Sequence, residues 1–292
     1  MDLVLHLGAH ATDDGRIAGW LAQNADRLEA QGLALPAPRR FLALISQGLA
    51  EHAQEGPVAQ GHEAALLASM GVTRERRRLV VSAPGLLGAA GQVIAPEGFY
   101  IKDVARRIYG LRVLFPRTRL HFNLAVRAAD GFLPALLAQL PEDAAEAQLP
   151  HLDDDVLPWS LLVSTLRRHA PAATLTVWRH EDLPRVWPQV LATLAGPGRR
   201  VPMAGMMEFA TLGLSAEGRL RASRYLTTNP PQDAAALQRV IDLFGARFGQ
   251  ETHTPDDSAV PNWARGHVAR LTRSYETEWA DIASIEGVRA LG

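Results

Sequence analysis

The sequence predicts an α/β fold, a parallel sheet flanked by helices with a helical C-terminal region. Three observations point there. Short apolar runs bounded by glycine, proline and polar turns alternate with helical patterns along the first two thirds of the chain. From about residue 205 onward only helical patterns remain. The chain has 292 residues, 47% of them hydrophobic, which is enough for a sizeable core in one large domain.

The first element is the apolar run Leu3 to Leu7, with His6 inside it and Gly8 ending it, which predicts a buried strand. Ile17, Trp20, Leu21, Asn24 and Leu28 then recur at helical spacing, with Gly32 as a C-cap. Helical segments are expected over 39–53 and 57–71, the second opened by Pro57. Leu79 to Ser82 predicts a strand entering a Pro-Gly loop, and 99–111 a helix. "RLHFNLAVR" predicts a strand with Arg127 at its end, followed by a short helix entered through Asp130. A helix over 156–169, a strand over Leu175 to Trp178 and the helix "WPQVLATLAG" follow. The last helices are expected at 215–227, 232–248 and 262–282, which divides the chain into an α/β core over 1–204 and a helical region over 205–292 packed on it.

Composition narrows the function classes. The net charge of −1 gives no global bias towards nucleic acid or an anionic membrane. The sequence has no cysteine, so disulfides, thiolate catalysis and Cys-ligated zinc are excluded within it. The N-terminus has no basic segment of a signal peptide, and no apolar run approaches the roughly 18 residues a membrane span needs. A cytoplasmic protein is the expectation.

Chemistry is expected first in "VLHLGAHATDDGRI", Val4 to Ile17. Strand, glycine, turn and helix form the geometry that binds phosphate, because a helix N-terminus has unpaired amides and a partial positive charge. Gly8 and Gly15 are both present, but no lysine lies near them. The alternative is a glycine needed only for the turn.

This stretch resembles the start of bacterial sulfotransferase-family proteins, whose 5′-phosphosulfate loop commonly reads His-Ile/Leu-Gly-x-His-Lys-Thr-Gly-Thr-Thr. His6, Leu7, Gly8, His10 and Thr12 match, and "NADRLEAQGLALP" resembles the family's following helix and its exit. "LRVLFPRTRLHFNLAVRAADGFLPALLAQL" resembles the family's strand ending in the arginine that holds the cofactor's 3′-phosphate, here Arg127. "LPWSLLV", "LTVWRHEDL" and "LTRSYETEWADIASIEGVRAL" resemble later segments, so the likeness is scattered over nearly the whole chain. It implies a P-loop-type sheet and 3′-phosphoadenosine 5′-phosphosulfate as donor to a hydroxyl or amine. The acceptor would be a small molecule, glycan or protein, with no metal needed. Gly8, His10, Thr12, Gly15, Arg16 and Arg127 would hold the cofactor.

The departures fall on the chemistry. Ala11 stands where the family has its lysine, Asp13 and Asp14 replace the glycine and threonine that contact the phosphosulfate, and Ala135 replaces a serine eight residues after the arginine. Each lost charge-assisted hydrogen bond weakens binding by roughly 1.5–3 kcal/mol. The lysine would also stabilise charge on the bridging oxygen during transfer. Arg16, one turn into the helix, could reach back over the site or simply lie solvated on the helix surface. Arg127 holds the phosphate or pairs with a local acid such as Asp130.

Other residues have two readings each. His10, His62 or Glu63 could be the base that takes the acceptor's proton. The alternatives are a loop-orienting role for His10 and an ordinary helix surface for the other two. Glu181 and Asp182 in "RHEDL" are expected to cap the next helix. "HLDDD" (151–155), "ETHTPDD" (251–257) and "RERRR" (74–78) are expected as solvated loops or turns rather than cation or anion sites. The stripe Trp263, Val268, Leu271, Tyr275 and Trp279 is expected in the core, with a homodimer face as the alternative. Three functions remain open: a sulfotransferase, a binding or scaffold protein that kept the fold and lost the cofactor, and a magnesium-dependent phosphotransferase on a related fold.

Overall fold

Strand β1 (Asp2–His6) lies at the centre of the sheet because its apolar residues are buried on both faces. The computed structural model describes residues 1–55, 61–95, 98–150, 158–206, 211, 213–249, 260–262 and 264–292. "HLDDD", "ETHTPDD", Pro57 and Trp263 lie outside these residues. After β1 come α1 (Arg16–Gln23), α2 (Ala25–Glu29), β2 (Leu33–Ala34), α3 (Pro38–Glu55), α4 (His62–Ser69) and β3 (Arg78–Ser82). A small antiparallel pair, β4 (Ile94–Ala95) and β5 (Gly98–Phe99), leads into α5 (Ile101–Leu114) and β6 (Arg119–Val126). Then follow α6 (Ala129–Leu137), α7 (Glu142–Gln148), α8 (Trp159–His169), β7 (Thr174–Arg179) and α9 (Leu183–Ala195). The chain closes with α10 (Ala216–Thr228), α11 (Ala234–Phe248), α12 (Arg265–Ser284) and β8 (Val288–Leu291).

The main sheet is parallel throughout, in the order β2-β3-β1-β6-β7-β8. Strand alternation sends Leu3, Leu5, Val81, Phe122, Leu124 and Val177 into one core, under helices that include α3, α5, α8 and α12. Val4, Val80, Ala125 and Trp178 face the other core, covered by α1, α9, α10 and α11. Val268, Tyr275 and Ile282 of α12 are buried in the first core, so the apolar stripe is packing. Among the described residues, no helix is long and apolar enough to cross a membrane.

The structure corrects several expectations. The C-terminal region is not purely helical, because β8 pairs with β7 and completes the sheet. The first helix breaks at Asn24, whose side-chain amide donates to Trp20 O at 3.0 Å and Ala204 O at 3.1 Å and fixes the kink to a distant segment. The last arginine of "RERRR" is not solvated. Arg78 is 3% exposed, and its guanidinium donates to Leu194 O, Thr193 O and the Asp2 carboxylate. Asp182 sits at the N-cap of α9, but its side chain caps nothing and instead accepts from Arg179 Nε at 2.6 Å. Glu181 does serve a helix start, though that of α6 rather than α9.

Candidate functional site

A parallel α/β sheet binds ligands beyond the carboxyl ends of its strands, where neighbouring connections diverge. Here the chain leaving β1 turns towards β2 and β3, and the chain leaving β6 turns towards β7. The loop 7–15 therefore sits at the switch point. It stays attached to β6 through Leu7 N–H to Asn123 O (2.8 Å) and Ala9 N–H to Ala125 O (3.0 Å). Gly8 has φ +91°, and a Cβ there would lie 3.0 Å from Pro84 Cβ, so glycine is required by both backbone and neighbour.

The polar groups of this loop are spent within the protein. Thr12 is buried, and its hydroxyl donates to Ala9 O at 2.7 Å. Asp13 is 5% exposed, and its Oδ2 accepts from Ile17 N–H at 2.9 Å, in the first turn of α1. The amide that a bound anion would use is therefore occupied by the loop's own carboxylate. Arg16 N–H bonds Asp13 O, and the Arg16 guanidinium, half-exposed, lies 3.7 Å from Asp14. Gly15 caps α1 with φ +74°.

The cations at this edge face carbonyls. Arg127 follows β6, and its Nη1 donates to Ala11 O at 2.5 Å. Burial lowers its pKa, opposed by the nearby charges of Glu181, Asp14 and Asp130. Its Nε is buried with no hydrogen-bond partner among the described residues. His180, at the end of β7, donates from Nδ1 to Thr12 O. Burial and Arg127 push the His180 pKa down. On the other side Tyr100 OH accepts from the His10 backbone N–H and shares a second hydrogen bond with its Nδ1, both at 2.8 Å, and burial lowers the His10 pKa. Carbonyls of Ala9, Ala11 and Thr12 thus engage donors that a bound oxyanion would otherwise use.

Carboxylates fill the neighbouring helix starts as well. Glu181 accepts from Ala128 N–H (2.9 Å) at the start of α6 and from Tyr275 OH (3.0 Å). Burial and Glu181 push the Tyr275 hydroxyl well above its usual pKa. Glu278 accepts from Ser160 N–H (2.9 Å) in the first turn of α8. Ala135 lies on α6, with no polar atom to offer beyond its backbone.

The structure brings Gly8, His10, Thr12, Gly15, Arg16 and Arg127 together at one edge. His62 is elsewhere. It opens α4 beside Glu63, which is buried and accepts from Arg117 N–H, Arg117 Nε and Thr118 Oγ1 at the approach to β6, the opposite end of the sheet. Comparison with protein-family models, curated proteins and solved structures finds no match to this chain.

Two residues at the site were read in the sequence without the roles that the structure gives them. His180 was legible only as a polar residue at a strand end, since its partner Thr12 is 168 residues away. His6 is fully buried beneath the loop, bonded through Nδ1 to Ser82 Oγ at 2.8 Å and stacked on Trp178. Its Nε2 has no partner among the described residues, and burial lowers its pKa, partly offset by Asp13. The sequence marked it as a histidine inside an apolar strand and as the first residue of the loop pattern, but not as a buried partner of Ser82.

Proposed function

We propose that this chain is a non-catalytic binding protein on a sulfotransferase-like α/β fold, whose switch-point loop has closed on itself and no longer holds a phosphosulfate. The observation that carries this reading is the Asp13 carboxylate seated on the Ile17 amide, 5% exposed, in the position of the cofactor's anionic group. A polyanion entering there would meet Asp13 and Asp14 and would have to displace Ala11 O from Arg127. The sulfotransferase reading keeps one supporting observation, the buried unpartnered Nε of Arg127, a donor that an anion could take.

Calorimetric titration with 3′-phosphoadenosine 5′-phosphate at low salt separates the two. The expected result is no heat of binding at millimolar ligand, in the wild type and in Arg127→Ala alike. A micromolar dissociation constant in the wild type that disappears in Arg127→Ala would overturn the proposal and restore the enzyme.

A further inference from the structure

A large cleft among the described residues lies at the other end of the sheet. It encloses about 950 Å³ between the starts of β6, β7 and β8, the C-terminal end of α9 and the segment after α8. Four arginines line it, Arg78, Arg167, Arg199 and Arg289, together with His121, and no aspartate or glutamate does. Pro171, Leu175, Pro197 and Val288 give the wall an apolar part, beside the neutral polar side chains of Thr174, Thr176, Gln189 and Thr193.

Two of the guanidiniums have structural employment. Arg78 bonds Thr193 O and Leu194 O at the end of α9, and Arg167 bonds Ala173 O and Glu286 O. Both lie against glycines with positive φ, Gly196 and Gly287, where any Cβ would strike the guanidinium. They are therefore fixed flat against the cleft wall. Arg199 spends only Nε, on Gln31 O at 3.1 Å. Among the described residues, its two terminal nitrogens and the whole guanidinium of Arg289 have no hydrogen-bonded acceptor. Asp2, which pairs with the lining residues Arg78 and His121, is also shared with Arg119.

We infer that this cleft is a binding site for an organic oxyanion, a phosphate or sulfate monoester with an apolar or aryl body. Arg199 and Arg289 would grip the oxyanion, whose charge repays the cost of clustering guanidiniums. The apolar wall would take the body. The cleft is independent of the closed loop, so this inference and the proposed function stand or fall separately.

The test is a calorimetric titration with 1-naphthyl phosphate, 1-naphthyl sulfate and neutral 1-naphthol. Wild-type protein, Arg199→Gln/Arg289→Gln and Arg127→Ala are compared at low and high salt. Either ester should bind and naphthol should bind far more weakly. The double variant should lose about a hundredfold in affinity, roughly tenfold per charge-assisted contact. Arg127→Ala should bind like the wild type, and salt should weaken binding. The ratio of phosphate to sulfate affinity identifies which monoester the site prefers. Equal binding of naphthol, an unaffected double variant, or no heat with either ester would each overturn the inference.

Discussion

Asp13→Ala tests the closed loop directly. The substitution removes the 2.9 Å bond from Ile17 N–H to a carboxylate that is 5% exposed. A hydrogen bond to a charged group contributes roughly 1.5–3 kcal/mol, and a carboxylate at a helix N-terminus adds about 0.3–1 kcal/mol. Relief of the buried charge offsets part of this. A net loss of about 2 kcal/mol is expected, which for a chain of this size lowers the melting temperature by about 3 °C. Asp13→Asn keeps an acceptor and loses the charge, so it should fall between the alanine variant and the wild type. The same change vacates the amide, so sulfate should protect Asp13→Ala from thermal unfolding more than it protects the wild type. Thermal melts with and without sulfate read both effects. If Asp13→Ala melts with the wild type, the carboxylate does not hold the loop. If sulfate protects both equally, the amide was never blocked, and the argument for a closed site fails.

Two further outcomes follow from buried charge. Arg78→Met leaves two carbonyls at the end of α9 without their donor and strips Asp2 of one partner. It should cost about 3 kcal/mol in urea unfolding, and an unchanged midpoint would mean that water replaces the guanidinium. Stability should also fall as the pH drops below about 6.5. His6, His10 and His180 all have pKa values depressed from 6.5, with burial the largest cause. The unfolded chain therefore takes up protons that the folded chain refuses, at up to about 1.4 kcal/mol per pH unit for each histidine. Melts between pH 7.5 and 5 should show this slope, and His6→Gln should flatten it.

The main strands were legible where a strand is an apolar run between turn signals, as in Leu3–Leu5 and Leu79–Val81. Strand β8 was not. It is four residues, alternates in exposure and carries Arg289, and apart from Gly287 little in so short a run marks it as a strand. Strand β2 has two residues and exists only by pairing with β3. The site was half legible. Its location followed from strand, glycine and helix, because those elements are local. Its state did not, because whether Asp13 points out to solvent or back onto Ile17 depends on packing. The contacts that close the loop come from Arg127 and His180, more than a hundred residues away. The buried Arg78 shows the same limit, since its sequence neighbours are solvent-facing arginines and only the α9 carbonyls explain it.

The two ends of the sheet follow one electrostatic rule and differ in what it leaves over. A parallel α/β sheet gathers helix N-termini at its carboxyl edge and C-termini at its amino edge. At the carboxyl edge Asp13, Glu181 and Glu278 occupy the starts of α1, α6 and α8. These three helix starts each have their own acid, and the arginine beside them bonds a carbonyl. At the amino edge Arg112 serves the last turn of α8 through His169 O, and Arg78 serves α9. Arg199 and Arg289 exceed that need and face a cleft without acids. An anion arriving at the first edge would have to evict a carboxylate, whereas at the second it would meet cations with bonds still to make. If the proposed oxyanion site is correct, the usual preference of this architecture for anions at the carboxyl edge is reversed here, because unspent guanidiniums lie at the amino edge.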